Sequence, residues 1–486
     1  MSVKRRALFL VAALVGLVAM AQAAHARVGG GQSFGGGSHS GHGGGGGDGA
    51  LLGCIIELVV RCFIVAPVPT TIAVVVGLVI WFAVKSQAPS MLPPPRPVVA
   101  RATPWITTLR QADPNFSLPV FLDFAVLLYV RVQFAAARRE LALLRPYLAE
   151  SVIQELPAPA GTLEDVCVGS ASIISAHVEG SVTRIIVRFE ASRTETRPEG
   201  PRAVCSHERW VFERRQGVLS RSPDDALTLA CPSCGNPAEV KPDGRCAACG
   251  NVVTDGRFGW SVARVGVEKR WTQRPDEVGS ASSWGAPPPT VAQPLLEREK
   301  GAFRARYPGF SFADFDGLVR RTFLALQDAW TKRAWEKARP YESDTIFQTH
   351  RFWIESYKRH ARTNVLEQVS VDRVELVRIE RDAFFDAITV RIWFRMIDYT
   401  RDDASGQVLS GDARNAHPAT EYWTFIRRSG FDATRASADP GTTCPSCGAP
   451  VKINMAGSCE HCGAKVTSGK FRWVVSRIDQ DTAYAG

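Results

Sequence analysis

Eight of the twelve cysteines in this 486-residue chain form two copies of one pattern, C-x2-C-x11-C-x2-C: Cys231, Cys234, Cys246 and Cys249, then Cys444, Cys447, Cys459 and Cys462. Four thiolates in close pairs suit tetrahedral Zn²⁺, and each pair is followed by a glycine (Gly235, Gly250, Gly448, Gly463) that lets the chain turn tightly round a metal. Two complete sets at identical spacing predict two zinc ribbons, 231–249 and 444–462, rather than disulfides. Four protein ligands leave no position for water or substrate, so both Zn²⁺ ions are expected to be structural.

The second set follows the first by 213 residues, and the offset carries past the cysteines: Trp210 matches Trp423, Arg214-Arg215 matches Arg427-Arg428, Phe258 matches Phe471 and Trp260 matches Trp473. Upstream the offset is 194, pairing Pro93-Pro94-Pro95 with Pro287-Pro288-Pro289, Phe116 with Phe310, Phe121 with Phe315, Gln133 with Gln327, and Arg145-Pro146-Tyr147 with Arg339-Pro340-Tyr341. The chain is thus read as an internal duplication of whole domains, with a 19-residue insertion in the middle of repeat two.

The residues before the duplication are of another kind. Lys4-Arg5-Arg6, an apolar run from Ala7 to Met20 and Ala24-His25-Ala26 make a signal-like segment, 1–26. A Gly-rich linker, 27–50, has too few apolar side chains to build a core, and His39 and His42 in it read as solvated spacers. Within a membrane segment at 51–85, Phe63 to Val84 carry no charge, matching the ~20 residues that a ~30 Å hydrocarbon core requires. Lys85, Arg96, Arg101 and Arg110 flank its C-terminal side, which predicts an inner (cytoplasmic) membrane protein with both repeats facing the cytoplasm. Eight thiols poised for metal agree, because a reducing compartment keeps them available. The net charge of +10 fits an anionic membrane surface or nucleic acid and does not choose between them.

A Pro-rich linker, 86–112, leads to a first domain at 113–272; a second linker, 273–306, leads to a second domain at 307–480. Each opens with an amphipathic helix. Leu118, Phe121, Ala125, Leu128, Tyr129, Val132 and Ala136 recur at helical spacing, as do Phe312, Phe315, Val319, Phe323, Leu326 and Trp330. A short second helix is expected to stop at Arg145-Pro146 and Arg339-Pro340. Ser151 with Gln154 reads as a capping box for a third, and Ser343 or Asp344 as the cap of its counterpart. The period then changes to two: Arg184 to Phe189, Glu208 to Arg214, Val390 to Ile397 and Glu421 to Arg427 are strand-like. Helices followed by strands indicate an α+β layer with helices on one antiparallel sheet, and each ribbon falls between two strands as the crown of a long hairpin. Lys241, Arg245, Lys452 and Lys465 are placed to offset the thiolate charge.

The ordered set Asp113-Pro114-Asn115-Phe116, Leu144-Arg145-Pro146-Tyr147-Leu148 and Glu208-Arg209-Trp210-Val211-Phe212-Glu213-Arg214 resembles the Tim44-like domain. It is echoed by Tyr307-Pro308-Gly309-Phe310, Ala338-Arg339-Pro340-Tyr341 and Glu421-Tyr422-Trp423-Thr424-Phe425-Ile426-Arg427, so the resemblance covers residues 100–270 and 294–480. It implies two tandem cone-shaped domains of the NTF2 kind and a membrane-proximal role in handling polypeptides; in mitochondria such a domain belongs to the import machinery, and a relative tethers the ribosome. This chain departs from the family in having two copies, in the inserted ribbons, and in showing no long charged segment of the kind that recruits a chaperone.

The function expected is a membrane-anchored scaffold for a protein partner, with a ribosome or RNA tether and a small-molecule-binding domain or enzyme as the alternatives. Asp123, Tyr129 and His177 are the residues that would line a pocket in repeat one, but they form no nucleophile–base constellation, so no catalysis is expected. Lys358-Arg359-His360 with Arg362 reads as a solvated basic face, and Cys167 and Cys205 as small core residues. Two segments, Trp105, Ile106 and Leu109 beside Arg101 and Arg110, and Leu295, Leu296 and Phe303 beside Arg298, Arg304 and Arg306, either lie in a layer of anionic lipid headgroups or pack on their domains.

Overall fold

A computed structural model describes residues 98–99, 104–198, 200–226, 229–237, 239–273, 288–430, 443–481, 483–484 and 486. The signal-like segment, the Gly-rich linker, the span from Phe63 to Val84 and Arg101 lie outside the described residues. Repeat one runs β1 (Val98–Val99), α1 (Pro104–Ala112), α2 (Leu118–Arg138), α3 (Glu150–Glu155), β2 (Thr162–Glu179), β3 (Val182–Arg197), β4 (Gly200–Arg215) and β5 (Ser261–Gln273). Repeat two runs β6 (Val291–Ala292), α4 (Leu296–Arg306), α5 (Phe312–Thr331), α6 (Asp344–Arg359), β7 (Arg362–Arg381), β8 (Phe385–Asp402), β9 (Val408–Arg428) and β10 (Val474–Gln480). Each repeat has one antiparallel four-stranded sheet, in the order β2-β3-β4-β5 and β10-β9-β8-β7.

The long helices form where the apolar stripe predicts them. In α2, Phe121, Ala125, Leu128, Tyr129, Val132 and Ala136 are buried against the sheet, and the helix ends at Arg139, which takes a left-handed conformation. In α5, Phe315, Val319, Phe323, Leu326 and Trp330 do the same, and Ser311 caps the first turn by accepting from the Asp314 N–H at 3.1 Å. Among the described residues, α2 is the one helix long and apolar enough to cross a membrane, and half of its most apolar stretch is buried in the fold. Its length and hydropathy are therefore explained by core packing.

Three local expectations change. The second helix is a 3-10 element in both repeats, Leu141–Leu144 and Trp335–Tyr341, and in the latter Pro340 lies inside it rather than stopping it. Ser151 does not cap α3. Bonds from the Ala149 N–H to the Val262 carbonyl, and from the Val262 N–H to the Tyr147 carbonyl, tie the incoming chain to β5, so the helix starts earlier and Ala149 occupies the cap position. Ser343 does stand at the cap position of α6, but its side chain makes no capping bond.

The insertion in repeat two is also not one block. Val187 pairs with Trp210 and Val390 with Trp423, which makes Val187 the equivalent of Val390 at an offset of 203. The offset therefore rises from 194 to 203 before β8, and from 203 to 213 within the β8–β9 hairpin. The first part lengthens a helix: α3 has 6 residues and α6 has 16.

Inside each repeat, aromatic side chains fill the space between helix and sheet. Tyr129 lies 4.9 Å from Phe189 and 5.0 Å from Trp210; Phe323 lies 4.7 Å from Phe394 and 5.2 Å from Trp423. These two sheet tryptophans each donate to a buried carboxylate two residues earlier, Trp210 to Glu208 and Trp423 to Glu421, both at 2.9 Å. A lone buried carboxylate would cost several kcal/mol, and further donors offset that: Tyr129 and Ser206 bond Glu208, and Gln480 bonds Glu421.

The repeats pack on each other mainly through α6. Thr349 donates to the Val168 carbonyl at 2.9 Å, Thr345 to Asp123 at 2.5 Å, and Arg359 lies 3.2 Å from Asp165. Val120 joins Phe385, Ile426 and Val474 in a small apolar cluster, and the two linkers pair through Val98 and Val291. Cys167 and Cys205 are buried as expected, and they belong to the apolar cluster of repeat two, so they are seam residues. The basic run at 358–362 is not simply a solvated face, since Arg359 bonds across the seam.

Candidate metal centres

Each ribbon lies between the last two strands of its sheet, β4 and β5 or β9 and β10, as the crown of their hairpin. Four knuckles share one backbone pattern. The Gly235 N–H bonds the Cys231 carbonyl while the Cys231 N–H bonds the Asn236 carbonyl, and the same pair recurs at Cys246, Cys444 and Cys459. This turn needs a left-handed residue, and the glycines supply it at φ of 73, 73, 75 and 73° for Gly235, Gly250, Gly448 and Gly463. The reason for the cysteine–glycine spacing is thus steric.

The sulfurs come together as the pattern predicts. Cys231, Cys234, Cys246 and Cys249 hold their Sγ atoms within 4.8 Å of one another, and so do Cys444, Cys447, Cys459 and Cys462. Four sulfurs about 2.3 Å from one centre at tetrahedral angles lie ~3.8 Å apart. Cys231 and Cys249 are separated by 4.0 Å, and Cys444 and Cys462 by 3.9 Å, which fits a shared metal and is far too long for a disulfide. The donor set is all thiolate, which selects a soft or borderline ion such as Zn²⁺ over calcium or magnesium. A backbone N–H bond from Cys249 pulls the Cys246 thiol down to about 7, and one from Ala464 does the same to Cys462, while burial pushes Cys231 up to about 12.

The charged neighbours are arranged differently from the expectation. Arg245 donates to the Gly250 carbonyl at 3.1 Å within ribbon one, but Lys465 bonds Asp344 at 2.5 Å and serves helix α6 rather than the thiolates. Ribbon one is held to its own domain by Tyr147, whose hydroxyl donates to the Ala230 carbonyl at 2.5 Å. A duplicated arginine secures the strand ends beside both ribbons. Arg214 lies 4.3 Å over Trp260 and 2.7 Å from Asp113, and Arg427 lies 4.7 Å over Trp473 and 4.4 Å over Tyr307, the residue at the place of Asp113. In repeat two the countercharge comes instead from Asp386, 3.5 Å from Arg427.

The motif residues quoted from the sequence thus form the junction of helix layer, sheet and ribbon in both repeats. A sequence profile of the Tim44-like domain matches residues 104–226 and 299–438, more than half of the chain in two separate blocks. The chain belongs to the Tim44-like domain family. One matched block falls in each repeat, and both stop short of the ribbon cysteines and the last strand. No curated protein matches the chain. Among solved structures, an Ntf2-like protein involved in plasmid conjugation aligns at 8% identity over 75% of this chain and 95% of that one, with a TM-score of 0.16. At that score it carries no weight, and the α+β architecture stands on the helices and sheets described above.

The structure does not bring Asp123, Tyr129 and His177 together. Tyr129 is buried against Glu208, His177 is exposed on β2, and Asp123 faces repeat two. Burial raises the Asp123 carboxyl to about 6, against the bond from Thr345. A cleft beside ribbon one, lined by Phe121, Phe124, Arg214, Arg221, Phe258 and Trp260, has a volume of about 40 Å³. Pockets for small molecules typically run to ~300–1,000 Å³, so this one has room for little beyond water. Of the two segments preceding the domains, Leu109 and Phe303 are buried, at 1% and 6% exposed, and Trp105, Ile106 and Leu296 pack on the cores, which favours domain packing, whereas Leu295 is 66% exposed and does not pack inward.

Asp344, read from the sequence only as a candidate helix cap, has a bridging role that the sequence reading missed. Asp344 bonds Arg339, Lys465 and Thr467, joining the 3-10 element, α6 and ribbon two. The signal was present, because Arg145 and Glu150 repeat as Arg339 and Asp344 at the offset of 194.

Proposed function

We propose that this protein is a membrane-anchored Tim44-like scaffold that binds a protein partner, in polypeptide transport or membrane-complex assembly, near the cytoplasmic face of the inner membrane. Zinc holds its two ribbons and takes no part in a reaction. The observation that carries the reading is that the interior of each repeat is occupied by its own side chains, Tyr129, Phe189 and Trp210 or Phe323, Phe394 and Trp423. Recognition then belongs to the outer surface, which suits a polypeptide more than a small substrate. Packing of the repeats through α6 presents two copies of that surface on one anchor, which raises the effective concentration of the second for any partner held by the first.

Photo-crosslinkers placed in living cells at the exposed residues Leu143, Val267 and Leu409 test the reading. Discrete protein adducts that persist after RNase treatment are expected from at least one position. Adducts that vanish with RNase would favour the ribosome or RNA tether, and saturable turnover of a small molecule by the purified chain would favour an enzyme.

A further inference from the structure

The two ribbons share a fold but not an environment. In ribbon two, Lys465 donates to Asp344 at 2.5 Å and Thr467 to Asp344 at 3.1 Å. Arg339, 1% exposed, pairs with the same carboxylate, lies 4.6 Å over Phe347, and leaves no room for a side chain at Gly457 of the ribbon. Asp344 begins α6, and α6 is the element that holds repeat one, through Thr345 to Asp123, Thr349 to the Val168 carbonyl and Arg359 to Asp165. A continuous run of bonds therefore leads from the second metal centre to the contact between repeats.

Ribbon one keeps the arginine–acid pair and a threonine, Thr254, at the place of Thr467, but lacks the lysine and the long helix that carry the run onward. Val252 stands where ribbon two has Lys465, Gly317 stands in repeat two where repeat one has Asp123, and α3 is a helix of 6 residues. The equivalent acid, Glu150, bonds Arg145 at 3.3 Å on an exposed surface. The ribbon turn that carries Lys465 is itself held by the Cys459 knuckle, where the Cys459 N–H bonds the Ala464 carbonyl and the Gly463 N–H bonds the Cys459 carbonyl.

We propose that the second ribbon is a metal-dependent latch on the contact between the two repeats: with Zn²⁺ bound it fixes Lys465 and Thr467 on Asp344 and so seats α6 against repeat one, and without Zn²⁺ the seam loosens. The first ribbon has no such effect. A ligand that binds only one of two states shifts their balance by its differential affinity, and here the metal selects the seated state of α6.

Hydrogen–deuterium exchange on the full chain in detergent, with zinc content measured in parallel, tests this. Cys459→Ser, which empties ribbon two, should speed amide exchange in residues 344–359 and in 165–170 by about tenfold or more, the signature of a lower local opening energy. Cys246→Ser, which empties ribbon one, should leave both segments as in the parent. Lys465→Met should retain both zinc ions yet speed the same segments by about threefold, as expected for a part-exposed ion pair. If Cys459→Ser also unfolds the central strand around Ile388 to Ile392, the Lys465→Met result decides. Equal effects from both cysteine variants, an unchanged α6 in Lys465→Met, or a parent protein without zinc would overturn the latch.

Discussion

Stripping the metal from the reduced, intact chain should release two zinc ions and collapse the order of residues 231–249 and 444–462. Each ribbon has only a small apolar cluster of its own, Val240 and Val253 with two cysteines in the first and Val466 with two in the second. Clusters of that size cannot offset the ordering cost of a loop this long, at ~1–2 kcal/mol per residue. Four thiolates closing on Zn²⁺ supply an apparent ~10–16 kcal/mol at neutral pH, enough to decide whether the ribbon is folded. Cys231→Ser and Cys444→Ser should each lower the metal count by one, while the helix–sheet core of the affected repeat stays folded, because its aromatic cluster is separate from the ribbon's. Acid should act in the same direction, since protons compete with the metal for thiolates. Metal analysis finding fewer than two zinc ions in freshly reduced protein would contradict this.

The second large effect is expected at Asp113. Its carboxylate accepts from Arg214 at 2.7 Å, from the Ser220 N–H at 3.0 Å, from the Ser220 hydroxyl at 2.6 Å and from the Asn115 N–H at 2.9 Å. Arg214 is 2% exposed, and burial pulls its guanidinium below the ordinary value against the support of Asp113. Asp113→Ala would strand that cation, and removing one partner of a buried pair typically costs ~3–5 kcal/mol. The double variant Asp113→Ala, Arg214→Met should recover much of the loss, because the charge that made the hole costly is gone. Asp372→Ala breaks an exposed pair with Arg395 and should cost no more than ~1 kcal/mol. Thermal unfolding of the zinc-loaded chain reads the series, and equal shifts for Asp113→Ala and Asp372→Ala would count against a buried clamp.

How much of this was legible in the sequence depended on whether the signal was local. The two four-cysteine clusters were, because the paired cysteines and the glycine of each knuckle lie within a few residues of one another. The helices α2 and α5 were, since one stripe at helical spacing decides them. Strands β2 and β7 were not. Register shifts at Leu163/Asp165, Val168/Ser170 and Ile173/Ser175 break the two-residue period in β2, and shifts after Glu367, Val371 and Leu376 do so in β7. The seam was invisible for another reason: Asp123 and Thr345 are far apart in the chain and joined only by the fold. Counting alone gave the size of the insertion, whereas strand pairing was needed to show that it lengthens a helix and a hairpin separately.

The proposed zinc centres and the proposed scaffold role both place the repeats on the reducing, cytoplasmic side of the membrane. The direct measurement is a topology reporter fused after Gly486, with protease added outside intact spheroplasts. A reporter active only in the cytoplasm, with both repeats spared by protease, is the predicted result; cleavage of either repeat from outside would contradict it.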